Sequence, residues 1–266
     1  MLRSRWMRLL LSGLLDNWLA PPPDPSRTAW LGEWRYAHRG LHDGLWQGPV
    51  LENSGPSFDA AIAQGLGIEC DVQVSSDHRA MVFHDYILER LTGEKGAVAA
   101  RNSAELQQIT LRGDNGCILP LSAMLDKIGG KVPVLIEIKS EDRRHAPLCL
   151  AVRRALEGYG GKAAVMSFNP LVANWFRRHA PHVLRGLVVT EENAKGMLDR
   201  LGRHAALWSA KPDFLAYDIR DLPSRFAAAQ RMRGLPVLSW TVRDDAQMAT
   251  ASAHADAPIF ERAASR

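Results

Sequence analysis

Two carboxylates stand two positions apart in a stretch that otherwise resembles a buried strand. Glu69 and Asp71 lie within residues 67–74, and both project from the same side because the side chains of a strand alternate between its faces. Two neighbouring carboxylates in an apolar setting repel one another and resist burial. A divalent cation would resolve that repulsion, so the spacing predicts a metal site.

Further reactive residues follow other predicted strands. His84 ends a short strand, and Glu137 and Lys139 share one face at the end of a continuous apolar run. Carboxylates without a cysteine ligand favour a hard cation, so we expect one divalent cation, Mg²⁺ or Ca²⁺, rather than zinc or copper. Lys139 and Arg39 beside that cation suit an anionic ligand, for which phosphate is the natural match.

Two histidines complete the candidate site. His38 follows the first predicted strand and His84 the short extra strand, and imidazoles can act as acid and base near neutral pH. We therefore expect hydrolysis of a phosphate ester. Each motif alone also has a structural explanation, such as a strand-to-turn junction or a cross-strand ion pair. Their joint occurrence favours a catalytic site.

The elements that must position these residues alternate along the chain. Strands separated by helices over about 250 residues favour an α/β fold, a single-domain (β/α)8 TIM barrel, in which the active site lies at the carboxyl ends of the strands. A doubly wound sheet is the alternative, but no glycine-rich phosphate motif follows the first strand. The eight predicted strands are marked by Tyr36, Glu69, Glu137, Val165, Val188, Ala216, Leu238 and Ile259.

Residues 1–30 are predicted to form an N-terminal extension, an amphipathic helix with a proline-rich linker, before a barrel of residues 31–266. The apolar residues of this helix recur at intervals of four, at Trp6, Leu10, Leu14 and Trp18. The apolar run is too short to span a bilayer. Two interpretations stay open: the helix packs against the base or sides of the barrel, or residues 1–20 contact a membrane surface peripherally.

Composition narrows the class of protein. The net charge is +4, but the basic residues are spread along the chain without interleaved aromatic residues, which argues against nucleic-acid binding. Three cysteines without a C-x-x-C spacing favour a reducing compartment over a disulfide framework. We expect a cytoplasmic protein with a small-molecule substrate; association with the inner face of the membrane stays open.

A series of short motifs occurs in one order from about residue 35 to the C-terminus. They are His38-Arg39-Gly40, Glu52-Asn53, Glu69-x-Asp71, Ser76-Asp77, His84-Asp85, Glu89-Arg90-Leu91-Thr92-Gly93, Glu137-x-Lys139 and Ser239-Trp240-Thr241-Val242. Together they resemble the motifs of the glycerophosphodiester phosphodiesterase family. The resemblance implies a TIM barrel that hydrolyses glycerophosphodiesters to an alcohol and sn-glycerol 3-phosphate in a metal-dependent reaction.

The resemblance also implies roles for single residues. The acid/base pair it implies is His38 and His84. The metal site it implies is formed by Glu69, Asp71, Glu137 and Asn53. The substrate-binding residues it implies are Arg39 and Lys139 near the phosphate and Trp240 as an aromatic wall beside the glycerol.

The chain departs from the family pattern at two places. Glu261 stands after the last predicted strand, where the family often has threonine-aspartate, and Arg243 follows the W-T-V element, where asparagine is usual. We expect neither residue to touch the metal or the histidines, so both departures would affect the preferred headgroup more than the activity. The short gap between His84 and Glu137 predicts an open mouth without a large inserted cap.

Two alternatives to this function remain. The N-terminal amphipathic stretch motivates lysophospholipase D-like hydrolysis of a lipid phosphodiester at a membrane surface. A non-catalytic binding protein would keep the metal and phosphate pocket without turnover, but binding alone requires no acid/base pair.

Overall fold

Parallel strands alternate with helices in the computed structural model, which describes residues 14–43, 49–113, 115–140, 143–192 and 196–262. The strands are β1 (Tyr36–Ala37), β2 (Gly67–Val74), β3 (Ala80–Val82), β4 (Val134–Ile138), β5 (Ala163–Ser167), β6 (Leu184–Val189), β7 (Phe214–Asp218), β8 (Val237–Val242) and β9 (Ala257–Phe260). Because β1 pairs in parallel with both β2 and β9, eight strands close into a barrel, and β3 adds to β2 in antiparallel orientation. The prediction of a (β/α)8 barrel is confirmed.

Helices cover the outside of this barrel. The first, α1, includes residues 14–19. The others are α2 (Pro25–Thr28), α3 (Gly55–Ala63), α4 (Glu89–Thr92), α5 (Ser103–Leu106), α6 (Leu121–Ile128), α7 (Ala146–Leu156), α8 (Pro170–His179), α9 (Met197–Ala210), α10 (Arg225–Met232) and α11 (Asp245–His254).

The alternation of side chains along β2 separates the core from the site. Ile68, Cys70 and Val72 are buried in the core between barrel and helices. Glu69 and Asp71 stand between them and therefore face the barrel interior. The same strand thus holds the fold together on one face and presents carboxylates on the other.

Helix α9 contains a glycine in its interior. Gly202 favours an early end of the helix, but α9 continues to Ala210. Leu207 and Ala210 are buried against the barrel. Their burial outweighs the roughly 1 kcal/mol that a glycine costs inside a helix.

Helix α1 is fixed to the barrel by a buried carboxylate. The Asp16 carboxylate accepts hydrogen bonds from Trp208 Nε1 (2.7 Å) and Gln230 Nε2 (2.8 Å) and lies 2.9 Å from His204 Nδ1. These contacts join α1 to α9 and α10. Trp6 and Leu10 of the predicted amphipathic pattern lie outside the described residues.

The apolar side chains of α1 point away from the barrel. Leu14 is 66% exposed and Trp18 is 78% exposed, whereas Asp16 between them is buried. The part of the helix that is described therefore packs through Asp16 and leaves Leu14 and Trp18 largely in solvent. Within the described ranges, no helix combines the length and apolar character that crossing a bilayer requires.

The segment between β3 and β4 has a small hydrophobic core of its own. Leu88 and Leu91 pack with Leu51 of the loop before α3 and with apolar residues further along the segment, up to Ile118. This packing fixes the polar residues that follow β3 close to the end of β2.

Candidate active site

Three carboxylates converge at the carboxyl ends of β2 and β4. In the register of these strands Asp71 is paired with Glu137, and Glu69 lies two residues before Asp71. All three side chains are buried, and each offers an oxygen within 4.8 Å of the others. The structure thus brings together the acidic residues that the sequence placed on two separate strands.

The surroundings of Glu69 fit a cation. Its Oε2 accepts a hydrogen bond from the backbone N–H of Arg39 (3.0 Å), whereas its buried Oε1 has no hydrogen-bond partner among the described residues. Burial, with repulsion from Asp71 and Glu137, raises the pKa of Glu69 well above its usual range. An all-oxygen donor set with one unsatisfied atom suits a hard divalent cation such as Mg²⁺ or Ca²⁺. The site is therefore compatible with a divalent metal.

Two basic side chains border the carboxylates. Lys139 Nζ lies 2.9 Å from Asp71 Oδ1 and 2.6 Å from Glu137 Oε1, and Arg39 Nε lies 3.3 Å from Asp71 Oδ2. Burial alone would raise the pKa of Asp71, but attraction to Lys139 and Arg39 outweighs it and lowers that pKa. The pKa of Glu137 is raised, since its burial outweighs the attraction to Lys139.

Asn53 is hydrogen-bonded to Asp71 in β2. Its Nδ2 donates to Asp71 Oδ2 (3.0 Å), and its Oδ1 accepts from the backbone N–H of Asp71 (3.3 Å). Asn53 and Arg39 both have a positive φ, near 53° and 57° respectively. Such backbone conformations carry a cost and persist where surrounding contacts enforce them. A role for Asn53 as a metal ligand stays a prediction.

His38 is the buried histidine of the site. Its Nε2 lies 3.8 Å from Glu69 Oε2, and its Nδ1 lies 2.6 Å from Glu261 Oε1. Burial lowers the pKa of His38 to about 4, although the hydrogen bond that its Nδ1 donates to Glu261 acts in the opposite direction. The imidazole is therefore neutral at pH 7 and able to accept a proton.

The expectation that Glu261 does not touch a histidine was wrong. Glu261 contacts His38 directly, and Arg243 Nε donates to Glu261 Oε2 (2.8 Å). The reason is barrel closure: β9 pairs with β1, so the residue after β9 lies beside the residue after β1. The sequence analysis assigned acid/base and metal-binding roles only to residues near the early strands. It did not consider the junction between the first and last strands.

His84 is oriented by a charged network. Its Nδ1 lies 2.7 Å from Asp85 Oδ1, and Arg90 Nε donates to Asp85 Oδ2 (2.6 Å). Arg90 also donates to both oxygens of Glu52, which in turn accepts from Arg39. The network therefore connects His84 to Arg39. The sequence motifs include all of these residues, but the sequence could not show that they are in contact.

An aromatic pair stands on the other side of the mouth. Trp240 lies on β8, which is opposite β4 in the ring of eight strands, and its Nε1 donates to the carbonyl of Ala216 (2.9 Å). Phe168, directly after β5, contacts it edge-to-face with ring centroids 5.4 Å apart. Phe168 was missed by the sequence analysis, since a single aromatic residue after a strand carries no signal of its own.

The sequence of this chain is similar to those of known proteins. Residues 38–260 match the sequence model of the glycerophosphoryl diester phosphodiesterase family. A glycerophosphodiester phosphodiesterase of Bacillus altitudinis is 40% identical over 163 residues, which are 56% of this chain and 63% of the relative. A relative from Bacillus subtilis (strain 168) is 32% identical over 112 residues, which are 39% of this chain and 43% of the relative. Both matches span less than two thirds of the relative's length.

Solved structures share the fold. A phosphodiesterase of Oleispira antarctica, determined in complex with its product sn-glycerol-3-phosphate, has a TM-score of 0.71 at 22% identity, covering 85% of this chain and 92% of its own. A glycerophosphodiester phosphodiesterase of Thermotoga maritima has a TM-score of 0.68 at 22% identity, with coverage of 85% and 92%. The family model matches the chain from His38 to the last strand and includes His84. The chain therefore belongs to the glycerophosphoryl diester phosphodiesterase family.

Proposed function

We propose that this protein hydrolyses glycerophosphodiesters to an alcohol and sn-glycerol 3-phosphate with one divalent cation. The observation that carries the proposal is the buried cluster of Glu69, Asp71 and Glu137, whose oxygens lie within 4.8 Å of one another. Family membership supports the reaction class. The comparisons name glycerophosphodiester phosphodiesterases and do not favour the lysophospholipase D-like alternative.

In this mechanism the carboxylates Glu69, Asp71 and Glu137 would hold the cation, together with Asn53. A bound divalent cation supplies Lewis acidity and neutralises charge that develops on the phosphate. Lys139 lies close to two of these carboxylates and also attracts the phosphodiester anion. The carboxylates and the basic side chains together would fix the phosphate at the carboxyl ends of β2 and β4.

The two histidines divide the proton transfers. Because burial keeps His38 neutral, we assign it as the acceptor of the proton from the attacking oxygen. His84, whose Nδ1 is held by the Asp85 carboxylate, then protonates the departing alcohol. Trp240 and Phe168 line the opposite wall of the mouth, where we place the glycerol.

A phosphodiesterase assay tests this function. Protein stripped with chelator is given glycerophosphocholine or glycerophosphoethanolamine, with Mg²⁺, Ca²⁺ or no metal, and released sn-glycerol 3-phosphate is measured. We expect release only with added metal. Release that is equal with and without metal would contradict the cation's role, and no release under any condition would contradict the reaction.

We also propose that residues 1–20 contact the inner face of a membrane peripherally. Besides the exposed Leu14 and Trp18 of α1, helix α9 carries Leu198, which is 79% exposed, and Leu201, which is 57% exposed. The contact between Asp16 and His204 joins the two helices, so both helices lie on the same side of the barrel. Arginines precede α1 in the sequence, and basic residues beside apolar ones suit an anionic lipid surface.

Vesicle co-sedimentation tests the membrane contact. We expect the protein to sediment with vesicles containing phosphatidylglycerol more than with phosphatidylcholine alone. Trp18→Ser and Leu198→Ser should weaken this binding. Ile87→Ser removes a half-exposed apolar residue elsewhere on the surface and serves as the matched control. Unchanged sedimentation of the Trp18 and Leu198 variants, or sedimentation without vesicles, would contradict a lipid contact.

A further inference from the structure

The carboxylate that follows the last strand reaches the buried histidine that follows the first. We infer that Glu261, held by Arg243, is a positioning residue that fixes the orientation and tautomer of His38. The inference rests on the proposed function, in which His38 accepts a proton. It adds to the site two residues that lie far from its other members in sequence.

The contacts use both oxygens of Glu261. Oε1 lies 2.6 Å from His38 Nδ1, a short distance typical of a charge-assisted hydrogen bond. Oε2 accepts from Arg243 Nε at 2.8 Å, and Arg243 Nη2 also approaches Oε1 at 3.4 Å. The carboxylate is therefore held from two sides and cannot rotate without losing one of its partners.

Arg243 is itself anchored at the end of β8. Its backbone N–H donates to Gln247 Oε1 (2.7 Å) in the first turns of α11. Strand β8 is adjacent to β9, and Arg243 and Glu261 directly follow these two strands. Their side chains therefore meet near the end of β1, which is the other neighbour of β9. The two positions at which the chain departs from the family pattern are thus in direct contact and act as one unit.

The hydrogen bond determines which nitrogen of His38 can accept a proton. An ionised carboxylate only accepts, so the hydrogen of the neutral ring lies on Nδ1 and the lone pair on Nε2. Nε2 is the atom that faces Glu69 and the carboxylate cluster. The opposite tautomer would present an N–H to the site and could not take a proton from an attacking oxygen.

Glu261→Gln gives the central test. Because Arg243 donates to one end of the side chain, the amide oxygen of glutamine should turn to Arg243 and its NH₂ group to His38 Nδ1. That arrangement imposes the wrong tautomer. We expect kcat for glycerophosphodiester hydrolysis to fall at least about 10-fold with little change in KM, since the groups that bind phosphate are untouched.

Two further variants separate positioning from general damage. Glu261→Asp keeps the charge and should recover part of the kcat lost with glutamine. In Arg243→Ala/Glu261→Gln the amide is free to turn its oxygen to Nδ1, so the double variant should be no slower than Glu261→Gln alone. Asp245→Asn, which changes an exposed carboxylate in the first turn of α11, is the matched control and should behave as wild type.

Nuclear magnetic resonance of metal-free protein with ¹⁵N-labelled histidine gives a readout independent of activity. We expect wild type to show Nδ1 protonated at His38 and Glu261→Gln to show the proton on Nε2, with assignment by loss of the signal in His38→Ala. An unchanged tautomer together with a kcat within twofold of wild type would overturn the inference. If wild type shows the Nδ1 proton but releases no product, the proposed reaction fails instead.

Calorimetric metal titration tests a competing role for Glu261. Ligand atoms of His38, His42 and Glu261 also lie within 4.8 Å of one another. We expect Mg²⁺ and Ca²⁺ to bind with the same stoichiometry and affinity in wild type and Glu261→Gln. Loss of one bound ion in the variant would mean that Glu261 is a metal ligand, and would overturn the positioning role.

Discussion

At the mouth of the barrel, burial acts on histidine and carboxylate in opposite directions. It lowers the pKa of His38 to about 4 and raises the pKa of Glu69, because in both cases it disfavours the charged form. The first effect keeps the His38 imidazole neutral at physiological pH, as its proposed role of proton acceptor requires. The second makes full ionisation of Glu69 depend on a nearby positive charge.

We expect His38 in the metal-free protein to titrate near pH 4, well below the roughly 6.5 of a free imidazole. Its contribution to stability is complete above the unfolded pKa and is lost as pH falls towards the folded one, because the unfolded chain then binds a proton that the folded chain excludes. Histidine resonances followed against pH, with assignment by His38→Ala, check this. A midpoint near 6.5 would contradict it.

Replacing either histidine should remove most of the activity. We expect His38→Ala and His84→Ala each to lower kcat by roughly 10² to 10⁴, the usual contribution of a general acid or base. His182→Ala alters an exposed histidine and should leave kcat unchanged. Steady-state kinetics with glycerophosphocholine measures all three, and near-normal turnover in either site variant would reject its assignment.

We expect Glu69→Gln to weaken metal binding and to increase the stability of the metal-free protein. The neutral amide keeps an oxygen for the backbone N–H of Arg39 but relieves the repulsion among the buried carboxylates. We expect the metal-free variant to melt at a higher temperature than metal-free wild type, and its melting temperature to respond little to added Mg²⁺. Thermal denaturation with and without metal checks both. A variant that melts lower without metal would contradict this account of the cluster.

Among the elements, predictions were most accurate where an apolar run stands between clear breakers. Residues 67–74 form β2 as predicted, since buried positions fill the strand between Gly67 and the following turn. The first strand, which the sequence analysis marked by Tyr36, comprises only Tyr36–Ala37, because Arg39 and Gly40 both take positive φ values and turn the chain. That turn delivers the Arg39 N–H to Glu69, which local sequence preferences could not show.

Helix α1 depends on Asp16. The hydrogen bonds from His204, Gln230 and Trp208 outweigh the effect of burial and lower the pKa of this carboxyl. We expect Asp16→Asn to reduce the free energy of unfolding by about 1 to 3 kcal/mol at pH 7, because buried donors lose an ionised acceptor. Urea denaturation checks this, with Asp245→Asn as the exposed control.

The pH dependence of that difference has a defined sign. Since the folded pKa of Asp16 lies below its ordinary value of 3.8, its stabilisation is present above that value and is lost as pH falls through the folded pKa. The gap between wild type and Asp16→Asn should therefore narrow as the pH falls below 3.8. A gap that does not change with pH would show that charge is not the cause.

At the scale of the whole molecule, the sequence predicted the fold class but not the contacts that depend on how the barrel closes. The barrel class followed from alternating patterns, and the carboxylates could be grouped because β2 and β4 each display them at their carboxyl ends. The contacts of Glu261 with His38 and of Phe168 with Trp240 depend on how the ring of strands closes. No local pattern encodes that geometry, so these contacts required the folded structure.

Pairing of β1 with both β2 and β9 places His38 at the junction between the beginning and the end of the barrel. A chain that is still being synthesised, or one cut before Ala257, lacks the strand that covers this side of β1 and the carboxylate that follows it. The residues of the early strands would then be present in a polypeptide in which His38 has no fixed orientation. We therefore expect the proposed hydrolysis to reach its full rate only after the last strand has docked, so that its rate would report on the completion of folding.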